Sequence, residues 1–163
     1  MEAVLEEKRT KSHEGKYLTF VLGTEEYGIE ILKVREIIGM MDITTVPQTP
    51  DYMKGVINLR GKVIPVIDLR LKFAMDELKH TQETCTIVVE VNSSLIGIIV
   101  DTVSEVVDIG SEAVEDTPAF GQGIDTDFII GLGKVQEKII ILLDIEKVMS
   151  TEELEIAEKM AEN

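Results

Sequence analysis

Few residues of this chain are of the types that carry out catalysis. The 163 residues include two histidines, His13 and His80, and a single cysteine, Cys85. Both histidines lie in polar connecting segments, where a lone histidine is far more often solvated than catalytic. Cys85 begins a β-branched run, which is typical of a small residue in or near the core. No Ser/His or Cys/His pair with a carboxylate is evident, so the sequence offers no nucleophile set.

The motifs that resemble ligand sites do not meet the spacing that those sites need. A phosphate-binding loop has four residues between its glycines and then Lys followed by Ser or Thr. Gly55–Lys62 has five residues between its glycines, and Val63 follows the lysine. Gly131–Lys134 fits a hairpin glycine pair better than a nucleotide loop. Asp125 and Asp127 lack the ligand spacing of an EF-hand. We therefore expect no cofactor and no metal site.

Composition and charge limit the kinds of molecule that this chain is expected to bind. The formal net charge is −15, 44% of the residues are hydrophobic and only 4% are aromatic. Nucleic acids and anionic membranes need basic patches, so this balance argues against both. The lone cysteine fits a reducing compartment. Residues 1–16 have no apolar run, and the longest apolar stretch, Leu95–Val100, is too short to span a bilayer. We expect a cytoplasmic protein with an aliphatic core.

The second half of the chain repeats the first. Gly28–Ile38 aligns with Gly97–Val107 at an offset of 69 residues, and Gly55–Asp68 aligns with Gly131–Asp144 at an offset of 76. Chance matches among Ile- and Val-rich strands are the alternative explanation, but the matches keep their order along the chain. The repeat indicates two copies of one β-rich unit with a seam between them, an arrangement that favours binding over chemistry.

Short alternating segments predict about ten strands and few helices, arranged as two small closed barrels that leave few free edges. We place a polar leader at 1–16, the first barrel at about 17–74, the second at about 84–149 and a helix at 150–163. Ser150 and Glu153 have capping-box spacing at the start of that helix. Asp68 and Asp144 are predicted to cap short helices. Residues 49–55 are predicted to form a short helical turn, with Gly55 as its C-cap.

One stretch carries a family resemblance. Residues 52–70 read YMKGVINLRGKVIPVIDLR, and they follow Ile31–Ile37 and a Val46-Pro47 pair. The second copy adds Gly97–Asp101 and Ile129–Gly133. Together these segments resemble the CheW family, the adaptors of bacterial chemotaxis, and the CheW-like regulatory domain of the histidine kinase CheA. The resemblance covers residues 17–153, nearly the whole chain.

The resemblance implies a fold of mostly β structure: two tandem SH3-like five-stranded β-barrels with a pseudo-twofold relation and a C-terminal helix. It also implies a non-enzymatic scaffold that binds the kinase CheA and the cytoplasmic tip of methyl-accepting chemotaxis receptors at the inner face of the membrane. On this basis four residues are assigned to receptor binding, and three to kinase binding. The receptor set is Val34, Glu36, Arg60 and Val103, and the kinase set is Gly55, Asn58 and Leu59.

Within these sets some alternatives stay open. Glu36 and Arg60 are predicted to form an ion pair across the first barrel, against the alternative of two unrelated solvated charges. Val34 and Val103 are predicted to line an apolar groove, although either valine also suits an ordinary core position. The glycine at 55 is explained equally by a positive φ at a helix C-cap.

Three other functions fit the sequence less well. A fragment of the kinase needs ATP-binding and phosphotransfer modules, and the two repeats leave no room for them. A fused adaptor of the CheV type needs a receiver domain with a phospho-acceptor aspartate, and the two repeats leave no room for one. A small enzyme of unfamiliar class needs an acid–base or nucleophile set, which the sequence does not offer.

Overall fold

The structure, a computed structural model, describes residues 15–116 and 127–162. Most of the leader at 1–16 and of a Gly- and Asp-rich loop predicted at 118–127 lies outside these ranges. The strands of the described residues are β1 Lys16–Leu22, β2 Glu25–Glu30, β3 Val34–Gly39, β4 Met53–Leu59, β5 Lys62–Asp68, β6 Cys85–Val91, β7 Ser94–Val100, β8 Thr102–Asp108, β9 Val114–Glu115, β10 Ile129–Val135 and β11 Lys138–Leu143. The helices are α1 Leu69–Lys72, α2 Ile145–Val148 and α3 Thr151–Glu162, and 3₁₀ turns cover Ile31–Lys33 and Ser111–Ala113.

The strands form two sheets, and each sheet takes strands from both repeats. One sheet has the order β8-β1-β2-β11-β10-β9 and the other has the order β3-β6-β7-β5-β4. In the five-stranded sheet the hairpin β6–β7 of the second repeat lies between β3 and β5 of the first, and in the six-stranded sheet the hairpin β1–β2 of the first repeat lies between β8 and β11 of the second. The boundary at 74–84 therefore separates the repeats in sequence, whereas each barrel is built from strands on both sides of it.

The strand registers relate the two sheets by a pseudo-twofold operation. In the parallel pair β5–β7, Val66 lies opposite Gly97, and in the parallel pair β11–β2, Leu142 lies opposite Gly28. The 76- and 69-residue offsets of the repeat carry one of these pairs onto the other. A Cβ on Gly97 would lie 2.7 Å from Cγ2 of Thr86. The seam needs a glycine here because the neighbouring side chain occupies that space.

The core has three parts, and all are mainly aliphatic. The largest cluster lies between the sheets and contains Phe20, Ile29, Ile67, Val89, Ile98 and Leu143 with their neighbours. A second cluster fills the barrel of the five-stranded sheet, and a third fills the barrel of the other sheet. The chain is thus a pair of SH3-like barrels, joined by a shared apolar layer and followed by a C-terminal helix, as the sequence predicts. One barrel has the five predicted strands, and the other has five long strands and the additional two-residue strand β9. We call the largest part the central cluster.

The predicted caps at Asp68, Asp144 and Ser150 are confirmed, and the predicted helix C-cap at Gly55 is wrong. Asp68 accepts a hydrogen bond from the Leu71 N–H at 3.3 Å, and Asp144 accepts one from the Glu146 N–H at 3.1 Å. Reciprocal bonds of 2.8 and 3.1 Å join Ser150 and Glu153 in a capping box. A single turn is present, since the Met53 N–H donates to the Pro50 carbonyl oxygen at 2.9 Å, but backbone pairing between Thr44 and Val56 places Gly55 in strand β4. None of the helices in the part of the chain described is long and apolar enough to cross a membrane.

Candidate functional site

Two edge strands, β3 and β8, place the predicted receptor-binding valines at equivalent positions of the two barrels. Each strand ends its sheet and pairs with one neighbour in the sheet order. Val34 lies opposite Val89 on β6, and Val103 lies opposite Phe20 on β1. Both valines are half-buried against the central cluster. They are therefore neither free surface residues nor fully enclosed core, and they mark where the shared apolar layer reaches the surface.

Bulges in both edge strands extend these apolar positions outward. The register of β3 shifts between Val34 and Glu36, so that Ile37 lies opposite Ile87 of the central cluster. Val34 and Ile37 thus share a face although they are three residues apart. On β8 the corresponding Val106 lies opposite Leu18. Ile37 is 45% exposed and Val106 is 51% exposed.

We call Val34 with Ile37, and Val103 with Val106, the paired apolar stripes. The sequence reasoning missed Ile37 and Val106, because simple alternation places them on the opposite face from the valines. A signal was nevertheless present, since the repeat alignment puts an aliphatic residue at both positions.

A buried threonine holds the bulge in β8. Thr19 is 1% exposed. Its hydroxyl donates to the carbonyl oxygen of Glu105 at 2.9 Å, and the Glu105 N–H donates to the hydroxyl at 3.1 Å. These two bonds satisfy backbone groups that the shifted register leaves out of the ladder. The position of Val106 therefore depends on a polar contact between Thr19 in the first repeat's hairpin and the backbone of β8 in the second repeat.

The predicted ion pair between Glu36 and Arg60 is confirmed. An Arg60 Nη2 N–H donates to Oε1 of Glu36, and the two side chains are 69% and 33% exposed respectively. The pair connects edge strand β3 to the turn between β4 and β5. Beyond it, Arg35 and Glu90 form a second exposed pair at 2.8 Å. Charged pairs therefore border the stripe on β3.

The turn that carries Arg60 is a tight two-residue hairpin. Arg60 has a φ of 51° and Gly61 a φ of 87°. Positive φ at both central residues is the geometry that matches the twist of a hairpin. Oδ1 of Asn58 accepts a hydrogen bond from the Gly61 N–H at 2.8 Å, so the Asn58 side chain closes this turn.

Gly55 and Leu59 shape strand β4 from within. Gly55 has a φ of +142°, and a Cβ there would lie 2.0 Å from the carbonyl oxygen of Thr44. Thr44 and Val56 exchange two backbone hydrogen bonds of 2.8 and 2.9 Å across this close approach. Leu59 is 8% exposed and packs inside the five-stranded barrel. The glycine is thus required for barrel closure, not for a helix cap, and the leucine side chain faces away from solvent.

The residues considered for chemistry lie in different segments of the chain. His80 is exposed in the connection between β5 and β6. Cys85 is half-buried at the start of β6, and burial raises the pKa of its thiol. Over residues 15–116 and 127–162, no three His, Cys, Asp or Glu side chains are grouped so as to hold a metal ion. His13 and Asp125 lie outside the described residues.

Comparison with known proteins decides the family. The model of the CheW-like domain matches residues 16–153. The chain belongs to the CheW-like domain family. It is 43% identical over 148 residues to the chemotaxis protein CheW of Klebsiella aerogenes, covering 91% of this chain and 89% of that protein. It is 35% identical over 142 residues to the CheW of Treponema pallidum, covering 85% and 84% of the two chains.

A solved CheW-like structure has the same fold. The scaffolding protein TtCheW of Thermoanaerobacter tengcongensis superposes with a TM-score of 0.77 at 36% identity, covering 85% of this chain and 94% of that chain. The match extends over nearly the whole of both proteins.

Proposed function

We propose that the chain is a non-catalytic chemotaxis adaptor that couples methyl-accepting receptors to the histidine kinase CheA. The observation that carries the proposal is the pair of equivalent apolar stripes on β3 and β8, in a chain of the CheW-like family. The proposed localisation is cytoplasmic, at receptor arrays on the inner face of the membrane. No catalytic step is assigned, because the sequence offers no nucleophile or acid–base set.

Receptor tips of this family are helical hairpins, and a helix docks by laying an apolar stripe into an apolar groove. Ile37 and Val106 supply the exposed parts of such a surface, and Val34 and Val103 support them from below. The Glu36–Arg60 pair supplies a charged border beside Ile37. A receptor helix then buries apolar area at the centre and meets charge at the edge, which is the usual anatomy of a protein interface.

The kinase contact is assigned to the hairpin of β4 and β5. Gly55 permits the close backbone approach in β4, and Asn58 sets the turn that follows. Leu59 is buried, so it supports this surface through the shape of the strand. This assignment leaves β3 and β8 free for the receptor, as an adaptor with two partners requires.

Co-sedimentation with receptor-bearing membranes, with and without CheA, tests the proposal. The deciding variants are Val34→Asp and Ile37→Asp. Each should lower receptor binding by about tenfold or more, because a carboxylate replaces an apolar contact at the centre of the interface. Kinase binding should change little. Ile37→Asp is the sharper variant, since the half-buried Val34 also supports the central cluster.

Leu78→Asp is the matched control. Leu78 is 44% exposed, close to the 45% of Ile37, but it lies in the connection between the repeats. It should leave receptor binding unchanged. Unchanged binding of the Ile37→Asp variant would place the receptor surface elsewhere, and turnover in a screen of hydrolase and transferase substrates would favour the enzyme alternative.

A further inference from the structure

The two edge strands have equivalent bulges that are held in different ways. The register of β3 shifts just before Glu36, and the repeat offset of 69 carries this position to Glu105 on β8. On the neighbouring strands the same offset carries Thr19 of β1 to Val88 of β6. Glu36 lies opposite Val88, and the backbone of Glu105 bonds to Thr19. One bulge therefore faces a hydroxyl group, and its twin faces a hydrocarbon side chain.

Thr19 is a polar residue at a place where its counterpart is apolar. Side chains alternate along a strand, so Thr19 faces the opposite side of β1 from Leu18 and Phe20, which belong to the central cluster. It is buried there, as Val88 is buried in the cluster of the other barrel. A buried hydroxyl costs free energy unless hydrogen bonds satisfy it. The two bonds to the backbone of Glu105 meet this condition, so the buried hydroxyl and the bulge stabilise each other.

The bulge decides which residue of β8 shares a face with Val103. Because Val103 lies opposite Phe20, an unbroken antiparallel ladder would place the second residue after it opposite Leu18. That residue is Glu105, whereas the structure has Val106 opposite Leu18. A shift of one residue exchanges the two faces of a strand. Loss of the bulge would therefore turn Val106 away and bring the carboxylate of Glu105 into the stripe.

The bulge on β3 is held from the solvent side instead. The side chain of Glu36 pairs with Arg60, in the turn between β4 and β5. At the repeat offset of 76, Gln136 occupies the place of Arg60 and has a similar φ of 57°. Its neutral amide cannot form an ion pair with Glu105. The outer contact of β3 therefore has no ionic equivalent on β8, where the inner contact of Thr19 takes its place.

We propose that Thr19 is a positioning residue for the receptor surface, because its hydroxyl fixes the register at which β8 presents Val106. This inference rests on the assignment of the receptor to the paired apolar stripes, and it adds a buried residue that a receptor helix does not touch. Thr19 acts through the backbone of Glu105. Its effect on binding is therefore confined to the stripe on β8, and the stripe on β3 keeps its own support.

Thr19→Val tests this role, because it removes the hydroxyl, nearly preserves the volume and installs the residue found at the twin position. The full chain is assayed by co-sedimentation with receptor-bearing membranes, without the kinase. Receptor binding should fall about tenfold, since the carboxylate of Glu105 reaches the apolar contact. The Glu105 amide should exchange with solvent faster, because it loses its acceptor. Thr19→Ser keeps the hydroxyl and loses only a methyl group, so it should bind the receptor within about twofold of the unmutated chain.

Double-mutant cycles separate positioning from a general loss of stability. Thr19→Val should weaken receptor binding little further in a Val106→Ala chain, because the residue that it positions is already truncated. Its effect and that of Ile37→Ala, on the other edge strand, should multiply. Thr86→Val is the matched control, since Thr86 is also buried but its hydroxyl lies 3.7 Å from the sulfur of Met40 and not at a bulge. This control should bind the receptor as the unmutated chain does.

Several results would overturn the positioning role. These are unchanged receptor binding of Thr19→Val, a loss in Thr19→Ser as large as in Thr19→Val, and effects of Thr19→Val and Val106→Ala that simply multiply. A Thr19→Val chain that no longer folds would show that the hydroxyl holds the barrel as a whole, which also contradicts a local role. If Ile37→Ala and Val106→Ala by themselves leave receptor binding unchanged, the receptor assignment fails and the role of Thr19 fails with it. Losses in those two variants beside normal binding of Thr19→Val would overturn the role of Thr19 alone.

Discussion

Arg60 occupies a backbone position that favours glycine, beside the stripe proposed to bind the receptor. Its φ of 51° lies in the left-handed region that residues with a Cβ rarely adopt. A conformation of this kind costs free energy, and it persists only where contacts of the surrounding structure offset that cost. The guanidinium reaches Glu36 on β3, at the border of the stripe formed by Val34 and Ile37. This explains why the turn carries arginine, where asparagine or glycine would suit the backbone better.

The residue-scale prediction separates the turn from the ion pair. Arg60→Gly relieves the backbone and removes the charge, so the free energy of unfolding should stay within about 1 kcal/mol of the unmutated protein. Receptor binding should nevertheless fall, because Glu36 loses its partner at the interface. A double-mutant cycle of Glu36→Ala and Arg60→Ala, measured by urea unfolding and by co-sedimentation, should give a coupling of about 0.2–1 kcal/mol in stability.

The neighbouring Arg35–Glu90 pair is the control for this cycle. Its side chains are 58% and 40% exposed, so its stability coupling should be similarly small. It should show no comparable coupling in receptor binding if the Glu36–Arg60 pair, and not any exposed ion pair of β3, supports the receptor-binding surface. Purely additive effects of the Glu36 and Arg60 substitutions on receptor binding would remove the pair from the interface.

At the scale of elements, each short helix connects its own repeat to the other one. In α1, Arg70 forms two 2.6 Å hydrogen bonds to the carboxylate of Asp101, at the junction of β7 and β8. At the repeat-equivalent position of α2, Glu146 pairs at 2.7 Å with Lys33, before β3. The charges are reversed between the two contacts, since the helix supplies the cation in the first and the carboxylate in the second. The first is 14% and 17% exposed and the second is 34% and 43% exposed, so the first should contribute more to stability.

The pH dependence of stability should reveal the Arg70–Asp101 contact. Hydrogen bonding to Arg70 lowers the pKa of the Asp101 carboxyl, and an N–H bond from Gly23 acts in the same direction. Because the pKa is lower in the folded state, the stabilisation is present above the unfolded-state value of about 4 and is lost as the pH falls through the folded value. Asp101→Asn should cost about 2 kcal/mol at neutral pH.

Urea unfolding from pH 8 to pH 3 measures this difference. The gap between the unmutated protein and Asp101→Asn should be constant down to about pH 5 and narrow below about pH 4. Other carboxylates titrate in both proteins and cancel. Glu146→Gln, at the more exposed equivalent pair, should cost less than about 1 kcal/mol. A gap that persists unchanged at low pH would show that the lost volume or shape, not the charge, sets the cost.

The elements differ in how well sequence alone predicts them. The caps at Asp68, Asp144 and Ser150 are local features and were predicted, as was the Glu36–Arg60 pair. The predicted role of Gly55 as a helix C-cap is wrong, because the close approach of the Thr44 backbone, in another segment, requires the glycine. The bulges that align Ile37 and Val106 were missed for the same reason, since register is set between strands. Helix caps, which depend on neighbouring residues, could therefore be predicted from the sequence, whereas bulges and close contacts between distant strands could not.

At the scale of the whole molecule, the exchange of strands makes each repeat incomplete. Every sheet holds the hairpin of one repeat between strands of the other, and the central cluster takes residues from both sheets. Neither repeat can satisfy its backbone hydrogen bonds or cover its apolar faces alone. The repeats should consequently unfold in one transition, although the sequence shows two copies of one unit.

Cutting the chain between the repeats tests this interdependence. The connection between β5 and β6 is exposed from Glu77 to Glu83, so a cut there breaks few contacts. Fragments 1–79 and 80–163 should each be unfolded, because the first lacks the inner strands β6 and β7 and the second lacks β1 and β2. Mixed in equal amounts, they should regain the circular dichroism and the dispersed amide spectrum of the intact chain, and melt in one concentration-dependent transition. A fragment that folds alone, or two separate melting steps in the intact chain, would show that a barrel can close with strands of its own repeat, and the exchange would then be an option of the fold instead of its requirement.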